Sequence, residues 1–153
     1  MAIGAITGTL LAAWLGEKLG RRMAYALQCA FSIVSVLWLY QMHSAYGLPF
    51  LFAAFVAGIC TASFYGWLPL YLPELFPTRV RATCQGFGFN FGRILAAIGT
   101  LQMSALLTQL NGLKTYAGEV GHPVACSFLT VFYLVGIVLI FFAPETKGKP
   151  LPR

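Results

Sequence analysis

Arg93 is the residue most able to do chemistry in this chain. It is the one charged residue between Arg81 and Lys114, inside an otherwise apolar stretch over 82–110. A helix beginning near Ala82 rises about 1.5 Å per residue, which places Arg93 roughly 16 Å along it, near the middle of a hydrocarbon core about 30 Å thick. A guanidinium at that depth costs about 2.5 to 3.5 kcal/mol on insertion scales, so it is expected to face a water-filled cavity or an anionic partner. Its five donors form a rigid fork that matches a carboxylate, so the ligand expected of such a site is an organic anion. An acid on a helix outside this chain would satisfy the same fork, and that alternative stays open.

The neighbours of Arg93 sort by helical spacing. Gly86, Phe89, Asn90, Arg93, Ala97, Thr100 and Ser104 recur at intervals of three and four and share one side. Phe87, Phe91, Ile94, Leu95, Ile98 and Leu101 form the other, and Gln85 and Gln102 flank the polar stripe less closely. A polar, small-residue stripe faces lipid only at a cost, so it is expected to line a cavity. Tyr65 and Trp67 are candidates to stack on a substrate ring, with plain aromatic packing as the competing reading.

Other chemistries find no candidate residues. Cys29, Cys60, Cys84 and Cys126 match no metal or redox spacing, and no Ser-His-Asp, Cys-His or HExxH arrangement occurs. Neither an enzyme, a metal site nor a cofactor site is expected. Four Glu are the only carboxylates, and no Asp, Glu or His lies within the apolar stretches. Proton coupling therefore needs a titratable group elsewhere, or the carboxylate of the substrate itself.

The elements that must position Arg93 follow from composition. The chain is 9% charged and 59% hydrophobic, against about 25% charged in a soluble domain, and its mean hydropathy is +0.78. Apolar stretches cover 1–16, 23–42, 48–72, 82–110 and 124–143. The prediction is an all-α polytopic membrane protein with five transmembrane helices, in which all but the first stretch reach the ~20 residues needed to span.

Basic residues mark the sides. Lys18, Arg21 and Arg22, then Arg79 and Arg81, then Lys147, Lys149 and Arg153 fall in alternate connections. The opposite connections hold Lys114 as their one Lys or Arg, near His43, Glu119 and His122. By the positive-inside rule the basic connections are cytoplasmic, so the C-terminus is expected inside. That placement also explains the net charge of +6 without a nucleic-acid partner. The first stretch is short and opens at Met1 with no basic flank, unlike a signal peptide, which suggests the remnant of a longer chain.

Within the helices, Gly4, Gly8, Ala12 and Gly16 recur every four residues, as do Ala54, Gly58, Ala62 and Gly66. Such stripes let backbones approach closely in lipid. Pro69 and Pro73 remove backbone donors, and breaks are expected there.

The basic connections also carry motifs. They read Leu15-Gly16-Glu17-Lys18-Leu19-Gly20-Arg21-Arg22, then Pro73-Glu74-Leu75-Phe76-Pro77-Thr78-Arg79-Val80-Arg81-Ala82-Thr83, then Pro144-Glu145-Thr146-Lys147-Gly148. Three such motifs, in order and at this spacing, resemble the C-terminal half of a major facilitator superfamily transporter, as its helices 8 to 12. The resemblance covers essentially the whole chain and implies a partial major facilitator fold. It also implies an ion-pair latch among Glu17, Arg21, Arg22, Glu74, Arg79, Arg81 and Glu145 that parts as the two halves of a transporter rock. The competing reading is that these are solvated charges that only fix topology.

Arg93 following that second motif, together with Asn90-Phe91-Gly92-Arg93, resembles organic-anion and carboxylate:proton members of the superfamily. Glu17 and the Pro144–Gly148 ending are similar to sugar porters instead, although Ala13 stands where the family usually has Gly, and the Gly-Pro-x-Pro-Trp of sugar porters is absent from the third stretch. The expectation is proton-coupled symport of a small organic anion, a monocarboxylate or related metabolite, across the cell (inner) membrane. Its substrate-binding candidates are Arg93, Asn90, Phe89, Ala97, Trp67 and Tyr65. The expected partners are a small-molecule substrate, the lipid bilayer and a missing N-terminal half. The alternatives are a sugar:proton symporter and a non-transporting remnant that associates with other membrane proteins.

Overall fold

The structure, a computed structural model, describes residues 2–42, 47–110, 126 and 130–148. Six helices order these residues: α1 (Ala2–Leu19), α2 (Arg21–Met42), α3 (Leu48–Ala62), α4 (Phe64–Leu75), α5 (Arg81–Leu110) and α6 (Val131–Phe142). No strand occurs among the described residues. By length and composition, Arg21–Gln41 and Leu48–Leu75 can cross a membrane, whereas Val131–Phe142 is a shorter apolar helix. Of the connections expected opposite the basic ones, His43, Lys114, Glu119 and His122 lie outside the described residues, as do Lys149 and Arg153 at the C-terminus.

The first helix is longer than the sequence suggests. Glu17, Lys18 and Leu19 continue it, and its 18 residues give a length of about 27 Å. It stops at Gly20, whose φ of 94° is a left-handed conformation that disfavours any side chain. Arg21 then opens α2, and a single residue separates the two helices.

The third apolar stretch divides, but not where its prolines predict. Pro69 and Pro73 both lie inside an unbroken α4, and the interruption falls at Ser63. Pro69 removes the donor that would reach the Tyr65 carbonyl, four residues back, whereas the interruption lies two residues further toward the N-terminus, at a Ser63 that keeps helical angles of φ −58° and ψ −28°. There the Ser63 hydroxyl donates to the Cys60 carbonyl at 2.6 Å, and the Gly66 N–H makes a tighter, three-residue turn onto the Ser63 carbonyl at 3.0 Å.

Small residues set the packing of α1. Gly4, Gly8, Ala12 and Gly16 are all buried. A Cβ added at Gly4 would fall on the Phe55 carbonyl, and one at Gly8 on the Ile59 carbonyl, so α1 and α3 meet backbone to backbone. Gly66 likewise abuts the Thr9 carbonyl, which extends the contact onto α4. On the far side α2 packs against α3 and α6. One core cluster joins Ala12, Ala24, Trp67, Tyr71 and Ile140, and a second joins Leu39, Ala53, Ala54 and Ala57. α5 stands apart from this bundle, and among the described elements it touches only α4.

Candidate functional site

Two places draw together the residues singled out above. The first is the end of the bundle where the chain between α1 and α2, the end of α4 and the segment after α6 converge. The Arg21 guanidinium grips Glu74 through two hydrogen bonds, Nε to Oε2 at 3.0 Å and Nη2 to Oε1 at 2.6 Å. This is the bidentate fork that fixes geometry as well as charge. The pair is largely shielded, with side-chain exposures of 11% and 18%.

Glu145 works on the backbone. Its Oε1 accepts the Arg21 N–H at 2.9 Å and its Oε2 the Arg22 N–H at 3.0 Å, so a carboxylate 124 residues away in sequence caps the N-terminus of α2. Helix N-termini leave such donors unpaired and carry a partial positive charge, so the cap satisfies both. The N–H groups of Thr146 and Lys147 add two further donors, each at 3.1 Å. Partial burial pulls the Glu145 carboxyl upward, but these four donors outweigh it and hold the group below the ordinary carboxylate range. A Cβ at Gly20 would sit 3.3 Å from Oε2, a tight contact at a backbone angle that already disfavours a side chain.

Tyr71 and Thr146, which sequence reasoning missed, and Trp67, which it placed among the substrate-binding candidates, complete the cluster with the expected Arg22. The Trp67 indole N–H donates to the Arg21 carbonyl at 3.1 Å, the Tyr71 hydroxyl to the Pro144 carbonyl at 2.7 Å, and the Thr146 hydroxyl to Glu74 Oε2 at 2.5 Å. Arg22 Nε donates to the Ala143 carbonyl. Trp67, Tyr71 and Glu74 are spaced i, i+4 and i+7, one face of α4, and that spacing was the available signal.

The other expected latch residues are less engaged. Glu17 is exposed and acts on Arg21 through its field rather than by contact. Arg81 donates to the Phe76 carbonyl at 3.3 Å, and Arg79 is exposed.

The second place is α5. Arg93 is exposed there, with its guanidinium carbon 5.7 Å from the centre of the Phe89 ring, within cation–π range. Asn90 and Ala97 are exposed beside it and Phe89 is half-buried. Asn90 Nδ2 bonds the Gly86 carbonyl at 2.8 Å and Thr100 Oγ1 the Ala96 carbonyl at 2.9 Å, so parts of the polar stripe are satisfied within the helix itself. The apolar stripe is open too, with Phe87 69% and Leu101 80% exposed, so burial does not distinguish the two sides.

The aromatic candidates are placed differently from each other. Tyr65 is exposed. Trp67 is buried, its ring 4.6 Å from that of Tyr71 and 4.7 Å from that of Tyr25, with its edge toward Gly16. Its indole is committed to packing and to the Arg21 carbonyl.

Comparison with known proteins gives this architecture a family. A model described as "Sugar (and other) transporter" matches residues 1–148. The chain is 29% identical over 150 residues to a probable 4-methylmuconolactone transporter of Cupriavidus pinatubonensis, covering 97% of this chain and 32% of that protein. It is 26% identical over 148 residues to the cis,cis-muconate transport protein of Acinetobacter baylyi, covering 95% and 32%. Among solved structures it resembles a major facilitator superfamily proton:xylose symporter bound to 6-bromo-6-deoxy-D-glucose, with a TM-score of 0.69 at 18% identity, over 94% of this chain and 33% of that one. The chain thus spans about a third of the length of these relatives. Its family consists of integral membrane transporters rather than enzymes, and with the matched model covering nearly all of its length, the chain belongs to the sugar (and other) transporters of the major facilitator superfamily.

Proposed function

We propose that this chain is the C-terminal part, helices 8 to 12, of a proton-coupled symporter for a small organic anion, with the substrate carboxylate held by Arg93. The observation that carries the reading is Arg93 itself: a guanidinium far from either end of α5, exposed, braced over Phe89 and flanked by Asn90 and Ala97. A guanidinium fork of this kind prefers a planar anion over a neutral hydroxylated ligand. Relatives named for cis,cis-muconate and for niacin, both carboxylic acids, support an anionic substrate. Because an alternating-access cavity needs two halves, Arg93 lines one wall and helices outside this chain supply the other.

The charged end is the conformational latch of the same machine, closed here through Arg21–Glu74 and the Glu145 cap. It faces the cytoplasm of the cell (inner) membrane, as does the C-terminus. A second reading, sugar:proton symport, is favoured by the Pro144–Gly148 segment and by the likeness to the xylose symporter.

Uptake of labelled lactate, an aromatic acid and a hexose by the full-length gene product separates the two. Acid uptake that falls by two orders of magnitude or more in Arg93→Ala and returns in part with Arg93→Lys supports the anion reading. Hexose uptake indifferent to Arg93→Ala overturns it.

A further inference from the structure

Lys18 and Lys147 are not used by the latch, and their surroundings point to a ligand. Of the latch residues, the four that are engaged at this end, Arg21, Arg22, Glu74 and Glu145, sum to zero charge, and Glu145 spends its oxygens on backbone donors. Lys147 Nζ instead donates to the main-chain carbonyl of Lys18 at 2.6 Å, which brings its ammonium to the end of α1. Lys18 Nζ sits 4.3 Å from the centre of the Trp14 ring. Neither ammonium has an acidic partner among the described residues, and both side chains are exposed. The acid nearest Lys18 in sequence, Glu17, lies a helical step of about 100° away, and the one nearest Lys147, Glu145, is taken up by backbone N–H groups.

Below them the polarity is graded. Leu11, Trp14 and Lys18 follow one another at i, i+3 and i+7 on one face of α1, with Leu11 49% and Trp14 53% exposed, and Leu10 beside them 70% exposed. An apolar surface, then an indole, then two ammonium groups is the order of acyl chain, interface and headgroup along a phospholipid. Indoles settle at the membrane–water boundary, and lysines there reach outward to phosphate. We infer that Trp14, Lys18 and Lys147 form a binding site for the headgroup of an anionic phospholipid, with its acyl chain along Leu10 and Leu11. The site is independent of which substrate the protein moves.

Each basic residue near an anionic surface strengthens lipid attachment by about fivefold, so removing both lysines weakens it by about thirtyfold. The test is native mass spectrometry of the delipidated full chain, titrated with phosphatidylglycerol or phosphatidylcholine. Phosphatidylglycerol is expected to bind well ahead of phosphatidylcholine, to lose that advantage in Lys18→Gln/Lys147→Gln, and to bind normally to Arg79→Gln, which removes a charge elsewhere. Equal binding of the two lipids, a double variant that binds like the wild type, or equal weakening by Arg79→Gln overturns the site. Displacement of the lipid by millimolar inorganic phosphate would show a free-anion site and overturn the lipid assignment as well.

Discussion

At the scale of single residues, the charged end is held by geometry that charge alone would not specify. Arg21 meets Glu74 through a planar fork, which a lysine cannot reproduce. Arg21→Lys is therefore expected to lose about 1 to 2 kcal/mol of stability despite keeping its charge, as read by thermal unfolding in detergent. A variant as stable as the wild type would show the fork to be dispensable. Glu145 adds a pH dependence whose sign is fixed by its caps. Its carboxyl is held below the ordinary range in the folded chain, so its stabilisation is complete above the unfolded value of about 4.3 and is lost as pH falls through the lower folded value. The stability gap between wild type and Glu145→Gln should be full at neutral pH and close under strong acid; a gap that widens on acidification contradicts the cap. The sequence made the acids and bases of this cluster visible because charge is rare in the chain. It hid Tyr71 and Thr146 and offered Trp67 for a substrate instead, because residues of those types are common in membrane helices and only their shared partners give them a role here.

At the scale of elements, the small-residue stripes of α1 were readable from their four-residue period, and the structure gives that period a cause. Gly8 lies against the backbone of Ile59, where no side chain fits, so α1 can seat on α3 only through hydrogen. Gly8→Leu must push the helices apart along the whole seam from Gly4 to Gly16. The expected cost is several kcal/mol, comparable to severe overpacking of a core, and it should appear as a loss of monodisperse protein in size-exclusion chromatography. Gly99→Leu on α5, where an added Cβ meets nothing within 4 Å, is the control and should elute as the wild type. The interruption at Ser63 was less legible. Sequence marks where a donor is missing, at Pro69 and Pro73, yet α4 runs unbroken through both, and the interruption falls at Ser63, whose hydroxyl bonds the Cys60 carbonyl in the turn before it.

At the scale of the whole molecule, α5 presents the widest contrast between sequence and structure. The sequence divides it into a polar stripe through Arg93 and an apolar stripe through Ile94, whereas the described part of both is open, because among the described elements only α4 touches the helix. On the proposed reading the two stripes face different surroundings within a longer transporter; the relatives this chain matches are about three times its length. Cysteine labelling in the full-length gene product can tell the stripes apart. With Cys29, Cys60, Cys84 and Cys126 replaced by Ala, a cysteine placed by Ala97→Cys should react several-fold faster with a water-soluble maleimide than one placed by Ile98→Cys, its neighbour a helical step away. Saturating substrate should slow the first and leave the second unchanged, because only the first shares the face of Arg93. Faster labelling at position 98 would turn α5 around: Arg93 would then face a buried acid on another helix, and the substrate would have to be held by residues outside this chain.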